Sequence, residues 1–163
     1  MTQKEALSFC ESEQEVPAHL IEVDSQEENQ AIHCEDKRRA ARGYKKVRYW
    51  MGIREWAGGW FRESDGKGIT FSNWDILGKF ACAYIWRFPQ GTLWRDKDCD
   101  KSGGGRSMAL SALCELSAPS TTTAASSTTT TATTTTSGEC AGVVQEGDDC
   151  PTSWTKLSTG CYR

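Results

Sequence analysis

The stretch Trp50-Met51-Gly52-Ile53 sets how this chain is read, together with the residues downstream of it: Trp60, Asp65-Gly66, Asn73-Trp74, Cys82, Trp94-Arg95-Asp96, Cys99 and Cys114-Glu115. Aromatic residues recur beside glycines, with cysteines set among them, as expected of short buried strands joined by tight turns. The strands expected are Arg48 to Ile53, Gly59 to Arg62, Ile69 to Phe71, Ala81 to Ile85, Thr92 to Arg95 and Met108 to Leu116. The chain has eight cysteines in 163 residues and no Cys-x-x-Cys pair. That usage points to a disulfide framework in an oxidising compartment rather than a zinc or redox site.

The sequence before this stretch is helical. Thr2 can cap a short amphipathic helix running to Cys10, with Glu5 placed to return the capping bond and Ala6, Leu7 and Phe9 as its apolar residues. Leu20-Ile21-Glu22-Val23 is a brief strand-like step. Asp24 or Ser25 can cap a second helix from Gln26 to about Ala41, with Ala31, Ile32 and Cys34 on its buried side and Gly43 ending it. Two helices followed by short strands make an α+β order. Gly103-Gly104-Gly105 reads as a turn, because it has neither the dinucleotide nor the phosphate-loop spacing.

Taken in order, these motifs from Thr2 to Leu116 resemble the C-type lectin-like domain. The resemblance implies a disulfide-stapled α+β fold with a long loop region and an extracellular role in ligand recognition. It implies that Cys10 pairs with Cys114 and Cys82 with Cys99, and it places Trp50, Ile53, Trp60, Phe71 and Trp74 in the core. Beyond the first domain, Cys150-Pro151-Thr152-Ser153-Trp154 and Gly160-Cys161-Tyr162 resemble the opening hairpin of a second such domain, with Cys150 paired to Cys161. The domains expected are therefore 1–116, a lectin-like domain lacking its own first strand; 117–139, a linker; and 140–163, the start of a second domain. An unpaired sheet edge is adhesive, so the 150–163 segment is also a candidate to fill the empty strand position, in its own chain or in a neighbour.

The linker is Ser or Thr at every position from Ser120 to Ser137 except Ala124, Ala125 and Ala132. Such a tract has no large apolar side chain to offset the entropy of folding. Its composition is that of O-glycosylated stalks, with an unmodified flexible spacer as the alternative. Cys34 and Cys140 are left without family partners. They can bond to each other, link two chains into a dimer, or pair outside this sequence, and spacing does not choose among these.

In sugar-binding members of the family a Glu-Pro-Asn or Gln-Pro-Asp triplet and a Trp-Asn-Asp triplet hold a calcium ion that the sugar completes. Between Trp74 and Cys82 this chain reads Asp-Ile-Leu-Gly-Lys-Phe-Ala, and the second triplet is Trp94-Arg95-Asp96. A guanidinium cannot ligate calcium. The expectation is ligand recognition, of carbohydrate at the level of the family but not through the usual calcium site and with no other cofactor, with Arg95, Asp96 and Asp98 as candidate contacts; the alternative is a calcium-independent protein-recognition or structural module.

Acidic residues lead and basic ones come after them: Lys37, Arg38, Arg39, Arg42, Lys45, Lys46 and Arg48 form a run able to bind polyanions such as sulfated glycans, or simply a solvated face. Nucleic acid is not the expected partner. No apolar run reaches the roughly 20 residues of a membrane span. Residues Met1 to Glu5 are too polar for a signal peptide, so a secreted chain of this kind is expected to be a fragment. An enzyme is not expected, since His19 and His33 have no nucleophile motif beside them.

Overall fold

The structure is a computed structural model that describes residues 1–12, 17–43, 48–88, 91–102, 110–116, 140, 155–157 and 160–162. Helix α1 spans Gln3–Ser12 and helix α2 spans Gln26–Ala41. Around them lie β1 (Ala18–Leu20), β2 (Arg48–Trp56), β3 (Gly59–Arg62), β4 (Trp74–Ile76), β5 (Cys82–Phe88), β6 (Gly91–Lys97), β7 (Leu110–Ser111), β8 (Cys114–Leu116), β9 (Thr155–Leu157) and β10 (Gly160–Tyr162).

Both helices start where the sequence places a cap. Glu5 N–H donates to Thr2 Oγ1 at 3.2 Å and Thr2 N–H donates to Glu5 Oε2 at 2.8 Å, a reciprocal capping box. Ser25 Oγ accepts from Glu28 N–H. After α2, Gly43 adopts φ +85, the left-handed conformation that glycine takes without a Cβ penalty, and its N–H donates to Ala40 O.

Two sheets carry the rest. The larger runs β3-β2-β5-β6-β4, with β7 also pairing β2, and the smaller runs β1-β8-β10-β9. Alternation along β6 sends Thr92 and Trp94 into the core and leaves Leu93 and Arg95 on the opposite, half-buried face. One core cluster joins Ile21, Val23, Ile32, Tyr49, Met51, Ile53, Ile85 and Trp94, with Trp60, Phe71 and Trp74 packed at its margin. The other joins Ala6, Cys10, Leu20, Trp50, Tyr84 and Leu110. Trp50 and Ile53 thus form the core as expected, whereas Trp60, Phe71 and Trp74 are only partly buried.

Cys10–Cys114 and Cys82–Cys99 are bonded as the resemblance implies. Cys34 bonds to Cys140 within the chain. That pairing is one of the three left open by spacing, and it removes both thiols that a disulfide-linked dimer would need. Cys150 and the Cys161 side chain lie outside the described residues, as do Gly103 to Gly105, Lys45, Lys46 and the 117–139 tract.

Several elements shift from their sequence expectations. The first strand is Ala18–Leu20 rather than Leu20 to Val23, because Ala18, His19 and Leu20 pair with Leu116, Glu115 and Cys114 while the chain then turns toward α2. Ile69 to Phe71 is not a strand. Phe71 contributes by setting its ring edge-on to Trp94 at 5.6 Å, and the pairing strand is instead Trp74–Ile76, parallel to β6. Phe9 faces outward, leaving Ala6 and Cys10 as the buried side of α1. The expected Met108 to Leu116 strand divides into β7 and β8.

Candidate functional site

The parallel pairing of β4 with β6 places Ile76 beside Arg95, and Asp75 beside them both. The Arg95 guanidinium grips the Asp75 carboxylate through two nitrogens, with Nε 2.7 Å from Oδ2 and Nη2 on the same oxygen. Next to it, Asp96 turns its carboxylate back onto the β4–β5 loop. Gly78 N–H donates to Asp96 Oδ1 and Phe80 N–H donates to Oδ2, each at 2.7 Å. Charge-assisted bonds of this length are among the stronger ones a protein makes.

This clamp explains the glycine at position 78. A Cβ there would sit 2.9 Å from Asp96 Oδ2, too close for any other residue unless the carboxylate moved away. The loop is thereby fixed by a protein carboxylate and two backbone donors, and the neighbouring acid is neutralised by a protein cation. Asp98 is engaged elsewhere: its Oδ1 accepts from Asp100 N–H in the following turn. Arg95 and Asp96 are therefore brought together at the loop, while Asp98 belongs to a separate turn.

On the loop held in this way, Ile76, Leu77 and Phe80 are 58%, 53% and 45% exposed. The flanking sheet face carries Trp86 beneath two guanidinium groups, with Arg48 3.5 Å and Arg95 4.4 Å from its ring centroid. Arg48 thus belongs to an aromatic stack. Burial beneath this stack lowers the Arg48 pKa from its usual value and raises that of Tyr84. The basic run is further divided on α2, where Arg38 pairs with Glu35 one turn back. Sequence reasoning did not single out Asp75, Gly78 or the apolar loop residues. An acid facing a loop glycine across two strands was the available signal.

A second exposed ring, Trp56, lies at the β2–β3 turn with 73% of its surface open. Between the start of α2 and β6 there is a polar cleft of about 290 Å³, lined by Gln26, Gln30, Asn73 and Thr92 among others. Asn29 and Asn73 both donate to Thr92 O there, and Asn29 Oδ1 accepts from the Trp94 indole, so these amides hold α2 to β6.

At the far side, Glu22, Glu28 and Glu115 are gathered under the smaller sheet. Glu22 N–H approaches Glu115 Oε2 at 3.4 Å, Asp24 N–H donates to Glu28 Oε2 at 2.9 Å, and the Tyr162 hydroxyl donates to Glu28 Oε1 at 2.7 Å. Burial raises the pKa of Glu22 and Glu28, and burial with the facing Glu28 carboxylate pushes Glu115 up to about 8. His33 is fully buried in α2, and the His19 ring meets the Leu20 carbonyl through Nδ1. Among the described residues no group of three or more His, Cys, Asp or Glu is arranged to hold a metal ion, and no helix is long and apolar enough to cross a membrane.

Human lithostathine matches over 61% of this chain and 70% of its own, at 19% identity and a TM-score of 0.49. The lectin CEL-I from Cucumaria echinata matches over 61% and 76%, at 20% identity and a TM-score of 0.46. The C-type lectin domain of murine dendritic cell inhibitory receptor 2, solved in complex with N-glycan, matches over 61% and 75%, at 17% identity and a TM-score of 0.43. No curated protein matches the chain. The family model of the lectin C-type domain matches residues 1–104, well over half of the sequence, and the chain belongs to that family.

Proposed function

We propose that this chain is an extracellular recognition module that binds its ligand with the β4–β5 loop and the sheet face beside it, and that it does so without calcium at that place. The observation that carries the reading is the engagement of both loop carboxylates: Asp75 is neutralised by Arg95, and Asp96 accepts two backbone N–H bonds. A cation entering there would have to displace a guanidinium and break the loop clamp. What the loop offers outward is apolar, through Ile76, Leu77 and Phe80. Exposed apolar residues clustered beside arginine and aromatic rings suit a protein or glycoprotein surface better than free sugar hydroxyls.

A second reading, carbohydrate recognition, rests on Trp56, whose exposed ring is suited to stacking on a sugar face. The Ser/Thr-rich tract supports export and O-glycosylation by its composition. Binding to immobilised glycoproteins and to a glycan array, each with and without chelator and with raised salt, separates these readings. Binding that survives chelator and is lost in Phe80→Ser supports the loop reading. Binding abolished by chelator would overturn it, loss in Trp56→Ala alone would favour the sugar reading, and loss only in high salt would favour the basic run.

A further inference from the structure

The smaller sheet is closed by residues far down the chain. Strand β10 pairs antiparallel with β8, with Tyr162 opposite Glu115, and β9 pairs with β10 through Gly160–Leu157, Cys161–Lys156 and Tyr162–Thr155. Tyr162 is 2% exposed and lies in the main core cluster with Ile21, Val23 and Ile32, and its hydroxyl donates to the buried Glu28 carboxylate. A covalent tie is added by Cys34–Cys140, which fixes residue 140 to the middle of α2.

These three contacts are of different kinds, and all lead from the 140–163 segment back to residues 1–116. We propose that strands β9 and β10 are a built-in complementing hairpin of the domain formed by residues 1–116, with the β8 edge as its docking surface. The Ser/Thr-rich tract is then a loop closed at both ends on one domain, not a spacer between two. Its two anchors are β8 at Leu116 and the α2 disulfide at Cys140. The 23 residues between them reach at most about 75–80 Å when extended, more than enough to join two points on one small domain. The disulfide also shortens the stretch of chain between the hairpin and its nearest covalent anchor to residues 141–154, which keeps the hairpin's effective concentration at its own β8 edge high, on the order of millimolar for a short link.

The edge has a chemical preference in its occupant. Beside Glu115 and Glu28 it takes a ring with a hydroxyl donor, because a buried carboxyl left without a donor is costly. Tyr162 meets that requirement, because its hydroxyl donates to Glu28 Oε1 while it lies in the core cluster.

The test is to insert a site-specific protease sequence between Thr129 and Thr130 of the full chain and cut it under native conditions. The expected result is a single species of one-chain mass on a non-reducing gel, two fragments after reduction, and a gel-filtration volume unchanged by cutting. Release of the C-terminal fragment without reductant overturns the proposal. A species of two-chain mass on the non-reducing gel also overturns it, since it would mean that the segment completes a second copy. The same cut in Cys34→Ser/Cys140→Ser tests the sheet edge alone: the fragments are expected to elute together, and to separate when Tyr162→Ala is added. Separation without the Tyr162 change would refute the β8 edge as the docking surface, and circular dichroism of the uncut variants establishes that each is folded.

Discussion

Gly52 lies where β2 passes beneath the exit of β1, with its N–H donating to Ile21 O at 2.9 Å and its carbonyl accepting from Glu63 N–H at 2.7 Å. A Cβ at this position would stand 2.7 Å from Leu20 O and 3.0 Å from Glu22 Cγ, and the first of these is backbone that cannot turn aside. Gly52→Ala is therefore expected to cost about 1–3 kcal/mol. Gly68→Ala, whose Cβ would come no nearer than 4.0 Å to Trp60 O, should stay within about 0.5 kcal/mol. Urea unfolding of the two variants checks the contrast, and equal midpoints would refute it. Glu115 gives a second prediction at this scale. Its carboxyl is raised to about 8 by burial and by Glu28, while Glu22, Asp24 and His19 also face it or its neighbours. A folded pKa above the unfolded one means a contribution fully present below about pH 4.5 and lost as pH rises toward about 8. Stability measured in chelator should fall across that window, and Glu115→Gln should flatten the slope. A slope unchanged in the variant would show that Glu115 does not titrate there.

The β4–β5 loop keeps its shape through Asp96, so a single side chain sets the geometry of a whole segment. Asp96→Ala should leave the sheets intact but speed amide hydrogen exchange at Gly78 and Phe80 by about tenfold or more, since an N–H bond to a charged acceptor contributes about 1.5 kcal/mol or more. Asp96→Asn keeps one acceptor oxygen and should protect one amide better than the other. Unchanged exchange at both amides in Asp96→Ala would mean the loop is held by something else. This element also shows where sequence reading reaches its limit. The capping box of Thr2 and Glu5, the Ser25 cap and the Gly59–Arg62 strand are local, and each was legible because a few adjacent residues decide it. The strand placed at Ile69 to Phe71 failed because Phe71 is partly buried by an aromatic contact with Trp94, not by a ladder, and such burial mimics a strand pattern. The Arg95 cation was legible at its place in the second triplet. Its partner Asp75 was not, because that pairing depends on a parallel register between β4 and β6 that no local signal specifies.

At the scale of the molecule, the two staples foreseen from the resemblance enclose very different lengths of chain, 104 residues for Cys10–Cys114 and 17 for Cys82–Cys99. If a disulfide acts by restricting the unfolded chain, the longer loop contributes about 4.7 kcal/mol and the shorter about 3 kcal/mol. The two bonds also sit differently. Cys10–Cys114 joins α1 to β8, so it ties the first helix to the strand beside which β10 pairs, whereas Cys82–Cys99 joins β5, which follows the β4–β5 loop, to the turn beyond β6. Removing the first pair as Cys10→Ala/Cys114→Ala is thus expected to lower global stability more than Cys82→Ala/Cys99→Ala, by about 1–2 kcal/mol. The second pair should instead show its larger effect in faster hydrogen exchange at Gly78 and Phe80 and in weaker ligand binding. Urea unfolding and exchange measured on both variants decide the matter. If loss of Cys82–Cys99 proved the more destabilising globally, loop length would not govern these bonds, and the packing of the buried sulfur of Cys82 against its neighbours would be the larger contribution.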